Sequence, residues 1–281
     1  MRFAKYHGIG NDFVMLADLD ERIELTPDLV RKMCDRRFGI GGDGVIRVAP
    51  GDGATDLFMD YVNSDGSVGE MCGNGIRCLV VFARAEGLTD ADELNIGTRA
   101  GPKRVRLLSD GRVEADMGPP IFEPQAIPVA WEGTDALSMK VEIDDEPIEV
   151  AALSMGNPHA VLLVEEPDGS PVGTLGPALE HHPAFPNGTN VEFVRVESPT
   201  RVRMRVWERG SGETLACGTG ACAAAVAARL LGGTEERVTV ALPGGELDIR
   251  WGGSLTEEAP VLMTGPVVCS FEGEFDLEAY A

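Results

Sequence analysis

Two stretches decide the fold. Met71-Cys72-Gly73-Asn74-Gly75-Ile76-Arg77-Cys78 runs on through LVVFARAEG to residue 87, and Ala216-Cys217-Gly218-Thr219-Gly220-Ala221 runs on through CAAAVAARLLGG to residue 233. Each sets a cysteine before Gly-x-Gly and then opens a run of small and apolar residues at helical spacing. The two cysteines are 145 residues apart, and other landmarks keep nearly the same offset. Asn11 and Asn157 each open an apolar strand, Asn63 precedes Cys72 by nine residues as Glu208 precedes Cys217, and Gly118-Pro119 returns as Gly265-Pro266. A repeat of this period predicts a duplicated domain.

The expected fold is α/β with an α+β-like character. Two similar domains, roughly 1–117 and 118–264, each wrap a mixed or antiparallel sheet around the helix that starts at the cysteine, and the tail 265–281 returns as a strand to one of them. Short connections between strands favour antiparallel or mixed pairing over doubly wound units. A pseudo-twofold axis would bring both sulfurs to one site between the domains.

Working outward, FAKYH, GIGND and FVML (3–16) read as strand, turn and strand. Thr26-Pro27 reads as an N-cap and first helical residue. Leu29, Val30, Met33, Cys34 and Phe38 follow on one apolar face, and Gly39 closes the helix. A glycine loop (39–44), strands at 45–48 and 57–62, and turns at 64–66, Gly101 and 110–111 complete the first half. The Pro-rich stretch PALEHHPAFPNG (177–188), with His181 and His182, reads as a surface loop, and Trp131, Asp135 and residues 142–149 as an exposed hairpin. The end FEGEFDLEAY (271–280) reads as a strand with a solvated tip.

Composition narrows the function. The 281 residues carry 24 Lys plus Arg against 46 Asp plus Glu, a net charge of −22. Such a surface repels phosphate backbones and anionic membranes, so neither nucleic acid nor a membrane is an expected partner. No secretory signal and no 18-residue apolar run are present, and six cysteines in a chain this long are not a disulfide framework, so a cytoplasmic location is expected. Glycine, at 35 residues, is well above the roughly 7% average, which points to close backbone approaches.

Two cysteines at Gly-rich helix starts can be a metal site, a redox pair or an acid/base pair. Spacings of C-x5-C and C-x4-C do not suit a metal, and no metal is expected. A redox pair is compatible with two thiols, although no C-x-x-C is present. An acid/base pair uses the positive helix end to lower a thiol's pKa and offers amide donors to a carboxylate beside the sulfur. One thiolate would take a proton from one face of a carbon while the other thiol delivers one to the opposite face. Cys78 and Cys222, six and five residues further on, read as buried helix packing, and Cys34 as a core thiol.

HGIGNDF (7–13), MCGNGIRC (71–78), GNPH (156–159), NGTN (187–190), WERG (207–210) and ACGTGA (216–221) together resemble the diaminopimelate epimerase family, from residue 3 to the final strand. The resemblance implies a pyridoxal-phosphate-independent isomerase, needing no cofactor, that interconverts LL- and meso-2,6-diaminopimelate in lysine and peptidoglycan biosynthesis, commonly as a homodimer. It implies Cys72 and Cys217 as the catalytic thiols, assisted by His159 and Glu208. It implies carboxylate binding by Gly73, Asn74, Gly218 and Thr219, and substrate holding by Asn11, Asn63, Asn157, Asn190, Glu208 and Arg209. Glu208 and Arg209 would read the distal ammonium and carboxylate. Some members carry Gln in the glycine loop where this chain reads Gly42-Asp43-Gly44 and others resemble the Gly form, so any contact at Gly44 would come from backbone alone. Proline or hydroxyproline racemase-like proteins are the nearest alternative enzymes, with His typical where Asn74 stands. Phenazine-type isomerases share the fold in outline but lack the two cysteines, and a thiol redox or small-anion-binding module is the alternative from outside the isomerases.

Overall fold

The computed structural model describes residues 1–131, 133 and 135–276. The chain divides into two compact units, Met1–Asp116 with Thr264–Ala281, and Met117–Met263.

In the first unit, β1 (Arg2–Gly8) and β2 (Asn11–Ala17) form a hairpin. Its two-residue turn holds Ile9 and Gly10 at φ 48° and 91°. Left-handed backbone at a β-branched residue costs about 1–2 kcal/mol, which burial of the Ile9 side chain offsets. Next come α1 (Pro27–Cys34), β3 (Gly44–Pro50), β4 (Leu57–Asn63), α2 (Gly73–Ala85), β5 (Glu93–Gly97), β6 (Lys103–Leu107) and β7 (Val113–Asp116). β3 lies parallel to β2 and β5 parallel to β4, while β3–β4, β5–β6 and β6–β7 are antiparallel. The chain's last strand, Val268–Glu274, lies antiparallel to β1. The helix α2 packs on β1, β2, β3, β6 and β7, so the sheet wraps it.

The second unit repeats this order. It contains β8 (Met139–Ile143), β9 (Glu146–Ser154), β10 (Pro158–Leu163), α3 (Val172–Glu180), β11 (Asn190–Ser198), β12 (Arg201–Glu208), β13 (Gly212–Thr214), α4 (Gly218–Gly232), β14 (Arg237–Leu242) and β15 (Gly245–Arg250). β9–β10 is antiparallel, β10–β11 parallel, β11–β12 antiparallel, β12–β14 parallel and β14–β15 antiparallel. The repeat extends to single residues. Phe13 pairs with Gly44 in β2–β3, and His159 pairs with Asn190 in β10–β11, both partners displaced by 146. The fold is mixed α/β with two similar halves.

Burial explains the two central helices. α2 buries nearly every residue from Gly73 to Ala83, and α4 buries Ala221 to Ala228 without a break. α4, small and apolar along Ala221–Ala228, belongs inside, and its short side chains let strands approach closely, whereas α2 is buried with larger side chains, Arg77 among them. Cys78 and Cys222 are fully buried, and Cys34 joins Val14, Leu16, Val30 and Met33 in the core under α1.

Four local readings need correction. α1 stops at Cys34 rather than at Gly39, because the Asp35 carboxylate accepts from the amides of Arg37 and Phe38 and turns the chain away. Phe38 is consequently 87% exposed rather than on the apolar face. The segment 172–180 is a helix although Pro177 lies inside it; Gly176 leaves room for Trp207, whose ring would lie 2.6 Å from a Cβ there. Trp131 packs half-buried on the core of the second unit instead of lying in the exposed β8–β9 hairpin. Residues 277–281 of the expected solvated tip lie outside the described residues.

Candidate active site

In the first unit Cys72 is the N-cap of α2, with extended backbone and Sγ accepting from the Gly75 amide at 3.4 Å. A Cβ on Gly75 would lie 2.6 Å from the Cδ1 tip of Ile46, which would have to move to admit it. Asn11, the first residue of β2, turns its Oδ1 to this motif. It accepts from Asn74 Nδ2 at 3.1 Å and from the Cys72 thiol at 3.6 Å. Asn63 ends β4, accepting from the Tyr61 hydroxyl at 2.5 Å and donating to Ser67 Oγ at 3.0 Å. Gly44 has no space for a side chain, since a Cβ would lie 2.6 Å from the Tyr61 ring.

Four residues to which the sequence assigns no role, Asp43, Arg36, Lys5 and Arg77, hold this group in place. Asp43 accepts from Asn11 Nδ2 at 2.7 Å and so fixes which way the Asn11 amide faces. Arg36 bonds both Asp43 and Asp12, and buried Lys5 sits 2.7 Å from Asp12. Arg77, fully buried in α2, donates to the Gly73 carbonyl at 3.0 Å and to Asn74 Oδ1 at 2.8 Å. Burial alone would raise the Asp12 carboxyl, but Arg36 and Lys5 outweigh it and hold it at about 2 against an ordinary 3.8. A carboxylate with a lowered folded pKa stabilises the fold above its unfolded value, and that contribution disappears as pH falls from about 4 to about 2. Asp12→Asn should therefore cost about 2 kcal/mol at pH 7, with the gap to wild type closing near pH 2 in denaturant titrations.

The second unit repeats the motif. Cys217 is the N-cap of α4, its sulfur accepting from the Gly220 amide at 3.4 Å and lying 3.6 Å from Thr219 Oγ1. Asn157, immediately before β10, donates to Thr219 Oγ1 at 3.3 Å, as Asn74 and Asn11 meet in the first unit. His159, with no exposed surface, faces Asn157 Oδ1 through Nε2 at 3.0 Å. Glu208 ends β12 and bonds the Thr214 hydroxyl and the Cys217 thiol. Asn190 ties the start of β11 to its neighbours, donating to the Pro158 carbonyl and accepting from the Arg209 amide. The Arg209 side chain is exposed and donates to the Asn187 carbonyl at 3.2 Å.

The electrostatics around Cys217 differ from the sequence expectation. The helix end was expected to lower the thiol's pKa. Burial instead pushes it well up, and the Glu208 and Glu192 carboxylates add to the rise; the Thr219 hydroxyl and the Gly220 amide oppose them without prevailing. Burial also raises Glu208, against hydrogen bonds from Thr214 and Cys217. Cys217 is therefore held as the thiol, with a carboxyl beside it that can take or return a proton. The Glu208 carboxyl thus lies against the sulfur and the Thr214 hydroxyl. Among the described residues no group of three or more His, Cys, Asp or Glu could hold a metal ion.

Each unit thus ends a strand near a cysteine-capped helix whose first amides can receive a carboxylate. Solved structures with this fold include a phenazine biosynthesis protein of the PhzF family from Bacillus anthracis, with a TM-score of 0.72 at 17% identity, covering 98% of this chain and 99% of that one. Another is a probable proline racemase from Agrobacterium radiobacter, with a TM-score of 0.71 at 15% identity, covering 98% and 93%. Much nearer in sequence are curated diaminopimelate epimerases. That of Thioalkalivibrio sulfidiphilus is 48% identical over 280 residues, covering 99% of both chains. That of Moorella thermoacetica is 48% identical over 283 residues, covering 99% and 100%. The family model described as diaminopimelate epimerase matches residues 3–123 and 151–269, a span that takes in both cysteine-capped helices, and the chain belongs to that family.

Proposed function

We propose that this protein interconverts LL- and meso-2,6-diaminopimelate, serving lysine and peptidoglycan biosynthesis, with Cys72 and Cys217 as the acid/base pair and no cofactor in the scheme. The observation that carries the reading is the repeated one: in each unit a cysteine sulfur caps a Gly-rich helix and accepts its third amide. One sulfur, as thiolate, removes the α-proton from one face of the carbon, and the other, as thiol, delivers a proton to the opposite face. The two sulfurs exchange protonation states in one turnover, which leaves the enzyme set for the reverse reaction. Amides at Gly73, Asn74, Gly218 and Thr219 receive the α-carboxylate and stabilise charge developing next to it. Glu208 trades a proton with Cys217, and His159 steadies that thiol through Asn157 and Thr219. Asn11, Asn63, Asn157, Asn190 and Arg209 hold the substrate.

The substrate has two ammoniums and two carboxylates, so a protein at −22 gains no steering from its net charge, and recognition falls to individual groups. The same reading makes the two units tandem epimerase repeats, and the protein a cytoplasmic homodimer with no nucleic-acid or membrane partner. No helix among the described residues is long and apolar enough to cross a membrane.

Incubation in D2O tests the function. Diaminopimelate should acquire deuterium at the α-carbon as it epimerises, and proline should acquire none. Exchange with proline alone would transfer the protein to the racemase-like alternative. Absence of exchange with either, together with reversible disulfide cycling, would favour the redox reading.

A further inference from the structure

Glu192, in the middle of β11, has no exposed surface, and its Oε1 lies 2.7 Å from His159 Nδ1. In the first unit the same two register positions hold Phe13 and Ile46, also fully buried. The repeated scaffold therefore closes with apolar side chains at both places. The second unit buries an acid and an imidazole there, at a desolvation cost, and Glu192 Oε2 has no hydrogen-bond partner. Stability does not account for the pair.

Its hydrogen bonds lead to Cys217. His159 Nε2 faces the Asn157 Oδ1 acceptor, so it carries a hydrogen. Asn157 Nδ2 donates to Thr219 Oγ1. Having accepted that bond, the Thr219 hydroxyl has its own hydrogen to offer to Cys217 Sγ at 3.6 Å. Every donation points toward the sulfur, and that direction lasts only while His159 is protonated at Nε2. One proton lies between Nδ1 and Glu192 Oε1. Imidazolium with carboxylate and imidazole with carboxylic acid both leave the Nε2 hydrogen in place. A Cβ on Gly220 would lie 2.8 Å from the same Oε1, so the first turn of α4 closes over the carboxyl.

We propose that Glu192 is a positioning residue for Cys217: by fixing the Nε2 hydrogen on His159 it aims the Thr219 hydroxyl at the sulfur. The inference rests on the epimerase reading for what that sulfur does. The other titratable groups facing this region are Glu208 at the end of β12 and Cys217 itself.

Three variants and one spectrum test it. The chain has four histidines, so 15N NMR of the imidazoles can resolve the buried one. Wild type should show His159 with a hydrogen on Nε2. Glu192→Gln, whose amide can donate to Nδ1, should keep that signature and a kcat within about threefold of wild type. Glu192→Ala should lose the signature and at least tenfold in kcat, with KM within about twofold. Thr219→Val should keep the signature and lose a similar factor in kcat. Because both cut one chain, the double variant should fall no more than about twofold below the worse single variant. Should Glu192→Ala not fold, Glu192→Met, which fills the space, takes its place. Wild-type kcat in Glu192→Ala, multiplying losses in the double variant, or no rescue by Gln would each overturn the proposal. The spectrum needs no substrate. A wild type inert on diaminopimelate would overturn the proposed function alone, and a His159 lacking the Nε2 hydrogen would overturn this inference alone.

Discussion

Cys217→Ala and Cys72→Ala are each expected to reduce epimerisation by about a thousandfold or more, the upper range for loss of a positioned acid or base. The more telling outcome is isotopic. In each variant one sulfur remains, able to remove and return a proton on a single face. Each variant should therefore exchange the α-hydrogen of at most one epimer in D2O, with retention, and the two variants should choose opposite epimers. Exchange of both epimers by either variant would contradict the two-thiol scheme. Neither loss should come from unfolding, because both sulfurs act as helix caps whose removal costs roughly 1 kcal/mol.

The second large effect is at Arg77. Its guanidinium is buried in the first turns of α2 and donates to Gly73 O and Asn74 Oδ1. Arg77→Ala would leave a cavity and strip hydrogen bonds from two buried acceptors. A loss of roughly 3 kcal/mol or more is expected, measured as a lower denaturant midpoint. Activity should fall further than stability accounts for, since Asn74 then loses the contact that orients its side chain beside Asn11. Arg77→Met, which keeps most of the volume, should recover much of the stability but little of the activity. Recovery of both would reduce Arg77 to a packing role.

These two cases show what was legible in the sequence. The cysteine caps were, because Cys-Gly-x-Gly before a small apolar run announces a helix start by residue type alone, and its repetition at a fixed offset announces the duplication. Arg77 was not. On a helical wheel a lone arginine among apolar residues reads as a solvent-facing position, and only the way the strands surround α2 puts it inside. Glu192 was hidden the same way. In NVEFV its acid occupies one position of an apolar strand, where alternation assigns it to the water side. Burial on both faces of β11 removes that side. The helix at 172–180 was hidden by Pro177 and by glycines, residues that argue against a helix locally while the packing of Gly176 on Trp207 argues for it. Local chemistry was readable throughout; what a residue faces across the sheet was not.

The discontinuity of the first unit bears on how the polypeptide is made. Its strand β1 is covered along one edge by Val268–Glu274, and the amino group of Met1 donates to the carbonyl of Phe275 at 2.7 Å. During translation, the stretch encoded first must wait with an open strand edge while some 150 further residues emerge, roughly ten to thirty seconds at ordinary elongation rates. The stretch encoded second is contiguous and has no such delay. Nascent protein stalled before residue 268 would therefore carry a finished second half and a first half whose open strand edge invites strand-to-strand association.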